Sequence, residues 1–93
     1  MDAEIKRKWV QALRSGKYEQ TKGLLKSPDG AFCCIGVLGA IQSMDFKIKD
    51  LRSSTIMSKY SAGLSTISQL KLANMNDEGR SFAEIADYIE ANL

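Results

Sequence analysis

The sequence predicts a small, mostly helical α+β domain with one β-hairpin, and three observations carry this prediction. Apolar residues recur at helical spacing in several segments, Ser81-Phe82-Ala83-Glu84 has the form of a capping box, and Ser27-Pro28-Asp29-Gly30 is a strong turn signal. With 93 residues the chain has the size of one domain, which we take to span 1–93, and its core must be thin.

Four helices are predicted near residues 3–15, 34–43, 65–76 and 82–92. Asp2, Ser65 and Ser81 stand where N-caps are expected, and Gly16 is a natural C-terminal stop for the first helix. Residues 45–54 are predicted to be irregular and 55–62 to form a short helix. The residues expected to face inward are, in order along the four main helices, Ile5, Trp9, Val10 and Leu13; Ile35, Leu38 and Ile41; Ile67, Leu70 and Ala73 or Asn74; and Phe82, Ile85, Ala86, Ile89 and Leu93.

The hairpin is predicted around Pro28 and Asp29. Residues 23–26 are interpreted as its first strand and residues 31–33 as its second. Proline presets the backbone angle of the first central turn position, and glycine accepts the positive φ that follows.

The chain contains no histidine, which excludes Ser-His and Cys-His nucleophile pairs and any histidine metal site. Cys33 and Cys34 are adjacent and are predicted to be small buried packing residues. A reactive thiol at a helix start, the basis of a minimal enzyme built on Cys34, is the alternative. We therefore predict a non-enzymatic protein with no catalytic residue, no cofactor and no metal.

Charge is unevenly distributed: residues 1–26 hold seven Lys/Arg and three Asp/Glu, whereas residues 73–93 hold one and five. Either the two ends meet and partly neutralise each other, or they form patches of opposite sign. A basic and an acidic patch would both suit a protein partner. The candidate partner-binding residues are Lys6, Arg7, Lys8, Arg14, Lys17, Glu84, Asp87 and Glu90.

DNA binding is the alternative function. Residues 63–70 resemble the turn and recognition helix of a helix-turn-helix unit. In that case the base-contacting residues would be Ser65, Thr66, Ser68, Gln69 and Lys71. The segment carries few cations for phosphate contacts, so a protein partner is preferred to nucleic acid.

Three stretches resemble a family of small uncharacterised bacteriophage and prophage proteins. They are residues 9–20 (WVQALRSGKYEQ), 33–38 (CCIGVL) and 73–86 (ANMNDEGRSFAEIA). The resemblance implies a phage context and nothing about mechanism. Small phage proteins of this size often bind and block host machinery, so we expect a phage accessory protein that binds a host or phage macromolecule, with an inhibitor of a bacterial defence system, of the anti-CRISPR type, as the favoured form. The resemblance supplies no functional residues.

With no signal-peptide stretch at the N-terminus and no apolar run of membrane-spanning length, the expected location is the host bacterial cytosol. The oligomeric state and the binding of a small anionic ligand stay open.

Overall fold

The computed structural model describes residues 2–24, 26–42 and 64–93, and these residues contain four α-helices. Helix α1 is Ala3–Arg14, α2 is Cys34–Ile41, α3 is Thr66–Asp77 and α4 is Phe82–Asn92. All four predicted helices are confirmed, with ends that differ by at most two residues. The short helix predicted at 55–62 and the irregular stretch at 45–54 lie outside the described residues.

The predicted α+β class with a hairpin is wrong, because the described residues form helices and no strand. The turn itself exists: the Gly30 amide donates to the Ser27 carbonyl over 3.0 Å, and Gly30 has a φ of 92°. Next to the turn, however, there are only isolated bridges: Phe32 pairs antiparallel with Lys26 and parallel with Gln20. Because Cys33 already caps α2, the chain enters that helix before a second strand can extend.

The helix starts follow local sequence chemistry. The side chains of Asp2, Ser65 and Ser81 each accept a hydrogen bond from a backbone N–H of the first turn, as predicted. Ser81 and Glu84 form the complete reciprocal capping box. The Cys33 Sγ performs this role for α2, accepting from the Gly36 amide at 3.4 Å.

The core lies where α1 packs against α2 and α4, and where α3 packs against α2 and α4. All side chains of residues 34–39 are buried, so α2 is enclosed on every face and not only along the predicted stripe. The predicted inward faces of α1 and α4 are confirmed for their central residues. The buried members are Trp9, Val10, Leu13, Phe82, Ile85, Ala86 and Ile89.

Helix α3 turns a different face inward from the one predicted. Ile67 and Leu70 are 82% and 56% exposed, whereas Gln69, Leu72 and Asn76 are buried. The prediction failed because two of the three buried residues, Gln69 and Asn76, have amide side chains. The apolar spacing of Ile67 and Leu70 therefore marked the outer side of the helix.

None of the helices in the described ranges is long and apolar enough to cross a lipid bilayer.

Candidate functional site

Helix α1 carries four cations, and a fifth follows it in the chain. Arg7, Lys8 and Arg14 are exposed and Lys6 is half-buried, and the exposed Lys17 follows two residues after the cap. These five residues are the basic patch predicted from the sequence, and we call them the basic face. Lys8 pairs with Glu4 one turn earlier, with 3.6 Å between Nζ and Oε1.

Arg14 joins the basic face to the acidic end of the chain. Its Nη2 lies 2.6 Å from an Asp87 carboxylate oxygen and its Nη1 lies 3.0 Å from a Glu90 carboxylate oxygen. The hydrogen bonds that the Arg14 guanidinium donates, first to Asp87 and then to Glu90, raise its pKa. Of the two arrangements that the charge distribution allowed, the structure has the one in which the two ends meet.

The acidic residues of α4 therefore already have partners within the chain. Asp87 and Glu90 hold Arg14, while Glu84 accepts the Ser81 amide and lies 3.4 Å from Arg80. The Ser81 backbone hydrogen bond is the largest cause that lowers the pKa of Glu84. Two of these carboxylates share Arg14 and the third holds the start of α4, although all three side chains remain exposed to solvent.

A shallow groove of about 420 Å³ runs beside the basic face. Its lining includes three cations, one carboxylate and the apolar side chains of Ala3 and Val10; the charged members are Lys6, Arg7, Arg14 and Glu90. The Lys6 ammonium donates to the Glu90 backbone carbonyl at 3.4 Å. Arg7 and Lys17 form no ion pair with any residue in the described ranges. The groove can therefore accept an anionic group, with Arg7 available to pair with it.

The proposed base-contacting residues of α3 do not share one exposed surface. Gln69 is buried, and its Nε2 donates to the Leu64 carbonyl at 2.9 Å. The Ser65 oxygen caps the helix by accepting the Ser68 amide at 3.1 Å. Thr66 is the first residue of α3, and Lys71 is exposed on its outer side. Of these residues, Gln69 is therefore not available at the surface, whereas Lys71 is.

The two cysteines lie in the core as free thiols. Burial raises the pKa of Cys33 and raises that of Cys34 well above its ordinary value, so both thiols are held in the protonated form at neutral pH. The Cys34 Sγ donates to the Leu72 carbonyl at 3.5 Å. This placement confirms the prediction that Cys33 and Cys34 are buried packing residues, and it gives neither thiol the character of a nucleophile.

In the described residues no group of three acidic or cysteine side chains is arranged to hold a metal ion.

Sequence reasoning missed a polar hub at Asn76, which is fully buried. Its Oδ1 accepts from Gln20 Nε2 at 2.9 Å and from the Cys34 amide at 3.2 Å, and its Nδ2 donates to the Thr21 carbonyl at 2.7 Å. The hub thus connects the loop after α1, the start of α2 and the end of α3. The nearest sequence signal is Asn76-Asp77-Glu78-Gly79, a polar run typical of a turn, and it does not indicate a buried amide.

The fold and the site together define a class of protein: a small helical domain with a basic groove and a buried amide hub. The chain belongs to the family described as a domain of unknown function, DUF8296, whose model matches residues 1–62. The matched part includes α1, the basic face and α2. Neither a curated protein nor a solved structure matches this chain.

Proposed function

We propose that this protein is a non-enzymatic binding protein that docks through the basic face of α1 onto an acidic surface of another protein. The observation that carries the proposal is the groove flanked by Lys6, Arg7 and Arg14. It combines cations with an apolar floor, which is the mixture that protein interfaces use.

The exposed Arg7 supports this function, whereas the charge of Arg14 is already neutralised by Asp87 and Glu90. Arg7 is exposed and its charge is not offset by any described carboxylate, so it adds electrostatic attraction. Charge of this kind chiefly raises the rate of association with an acidic partner.

The residue inventory supports binding over catalysis. The chain has no histidine, and its two thiols are buried with raised pKa values. An inhibitor of a bacterial defence system is the form of this function that the resemblance to phage proteins favours. Such an inhibitor needs only a stable surface, and this chain is large enough to supply one.

Charge reversal on α1 tests the proposal. The double variant Lys6→Glu with Arg7→Glu changes the groove, and Lys22→Glu is the control, since it reverses an exposed cation in the loop after α1. Each tagged protein is used to capture partners from a bacterial host, and the captured proteins are identified by mass spectrometry. Binding of the purified candidate is then measured with both variants.

We expect a partner with an acidic surface that binds wild type and Lys22→Glu and is lost with the double variant. Affinity should fall steeply as salt rises, because exposed charges are screened. Equal binding of all three proteins would contradict the proposal that the basic face is the binding surface.

Duplex DNA is predicted to bind no tighter than about 1 μM near physiological salt, in the range of non-specific protein–DNA contacts. Nanomolar, sequence-selective DNA binding would instead favour the alternative function, a small helix-turn-helix DNA-binding regulator.

A further inference from the structure

Glu90 is the only acidic residue among the described residues that line the groove beside the basic face. Its backbone carbonyl accepts a hydrogen bond from the Lys6 ammonium at 3.4 Å, and its carboxylate oxygen lies 3.0 Å from Arg14 Nη1. Two different atoms of Glu90 therefore contact two of the three cations of the groove. The contact with Lys6 leaves the charge of that lysine uncompensated, because a backbone carbonyl has no net charge.

The other described lining residues lie on one stripe of α1. They recur three or four residues apart, which places them on one helix face; they are Ala3, Lys6, Arg7, Val10, Gln11 and Arg14. Arg7 and Arg14 are seven residues apart in the sequence, which is about 10 Å along the helix axis. The groove is therefore elongated along α1, and we call its two ends the Lys6–Arg7 end and the Arg14 end.

The two ends of the groove differ in charge. The Lys6–Arg7 end has two cations, and Arg7 forms no ion pair with any residue in the described ranges. At the Arg14 end one cation faces two carboxylates, since Asp87 lies 2.6 Å from Arg14 Nη2 and Glu90 lies 3.0 Å from Nη1. The first end is positive, whereas the carboxylates outnumber the cation at the second.

A carboxylate that approaches the Arg14 end meets these two carboxylates before it meets the guanidinium. The side chains of Asp87 and Glu90 are 73% and 62% exposed, whereas the side chain of Arg14 is 39% exposed. Like charges repel each other, although solvent screens the effect at exposed positions. Of the two carboxylates, Glu90 belongs to the lining of the groove and Asp87 does not, so Glu90 is the one that a bound segment would face.

We propose that Glu90 is a specificity-determining residue of the groove, which keeps partner carboxylates away from the Arg14 end and confines them to the Lys6–Arg7 end. This inference rests on the proposed function, because it applies to an acidic partner bound at the basic face. The partner segment then lies along α1 in one direction, with its carboxylates at Lys6 and Arg7 and a neutral or basic residue at Arg14. Repulsive groups that reject the wrong partner are a common source of specificity in protein interfaces.

The test compares two designed helical peptides that have the same composition and the same net charge. In the clustered peptide two glutamates lie one helical turn apart at one end. In the split peptide the same two glutamates are seven residues apart, like Arg7 and Arg14, so that one of them faces the Arg14 end in either direction of binding. Each labelled peptide is titrated with the full-length protein at low salt and followed by fluorescence anisotropy.

Three variants accompany the wild type. Glu90→Gln removes the charge under test, and Glu78→Gln is the matched control, because it removes the same charge at an exposed position at the end of α3. The double variant Lys6→Glu with Arg7→Glu reports whether the peptides bind at the basic face at all.

We expect the wild type and Glu78→Gln to bind the clustered peptide about two- to fivefold more tightly than the split peptide, the range of exposed charge interactions. Glu90→Gln should bind the split peptide more tightly by the same factor and the clustered peptide as the wild type does, so that the preference disappears. Binding of both peptides should be lost in the double variant.

The proposal is overturned if the wild type binds the two peptides equally, or if Glu90→Gln keeps the preference. A change of both affinities together in Glu90→Gln would show that Glu90 has a structural role only, and this also refutes the proposal. These results leave the proposed function intact as long as the double variant loses binding. If neither peptide binds the wild type, or if both bind the double variant, the basic face itself is refuted as the binding surface, together with the role of Glu90.

Discussion

Replacing Asn76 with alanine should destabilise this fold strongly, although Asn76 lies near the end of α3 and contributes no apolar surface. The variant removes three hydrogen bonds that connect the loop after α1 with α2 and α3. It leaves the Cys34 amide and the Thr21 carbonyl without their side-chain partner.

The size of the effect follows from burial. The Cys34 amide is a buried backbone group, and the loss of its partner costs about 1–3 kcal/mol. The Thr21 carbonyl is only partly buried, so its lost bond adds less. Gln20 is exposed and can bond to water, so its lost bond adds little. The total free energy of unfolding of a small domain is about 5–15 kcal/mol, so this loss is a large share of it.

Urea unfolding followed by tryptophan fluorescence measures this change, because the chain has a single tryptophan, Trp9, which is fully buried. Asn74→Ala is the matched control: Asn74 is exposed on the same helix, and its replacement should shift the free energy of unfolding by about 0.5 kcal/mol or less. If the two alanine variants unfold at the same urea concentration, the hydrogen bonds of Asn76 do not stabilise the fold.

Three further outcomes are expected. Ser81→Ala should lower the free energy of unfolding by about 1 kcal/mol through loss of the α4 cap, and no shift in a denaturant titration would exclude that role. Because the pKa of Glu84 is lowered, the stability it contributes is present above the ordinary carboxyl range near pH 4 and is lost as the pH falls through the lowered value. Glu84→Gln should therefore lose less stability than wild type between about pH 5 and about pH 2 in urea titrations, whereas parallel pH profiles would contradict this. Cys33 and Cys34 should react with iodoacetamide only as fast as the protein unfolds, and rapid labelling of the native protein would show an exposed thiolate.

The sequence alone was sufficient for features that depend on neighbouring residues. The four helices in the described ranges, the caps at Asp2, Ser65 and Ser81, and the turn at Pro28 all follow from local hydrogen bonding and backbone preference. The cations of α1 could also be listed from the sequence, and the structure shows that Lys6, Arg7 and Arg14 line one groove.

The hairpin prediction was wrong for a reason that is not local. Phe32 is bridged to both Gln20 and Lys26, and the next residue, Cys33, already caps a helix that begins at Cys34. The turn sequence was interpreted correctly, but whether strands grow from a turn depends on what the flanking residues pack against.

The inward face of α3 and the pairing of the charged ends were decided by tertiary structure. The spacing of Ile67 and Leu70 predicted a buried stripe, yet Asn76 finds its partners only because the loop after α1 and the start of α2 meet there. Likewise, the composition allowed the basic and acidic ends either to separate or to join, and Arg14 pairs with Asp87 because α1 packs against α4. Periodicity along a chain reports which residues share a helix face. Which face turns inward depends on partners distant in sequence, because a buried amide is stable only where those partners complete its hydrogen bonds.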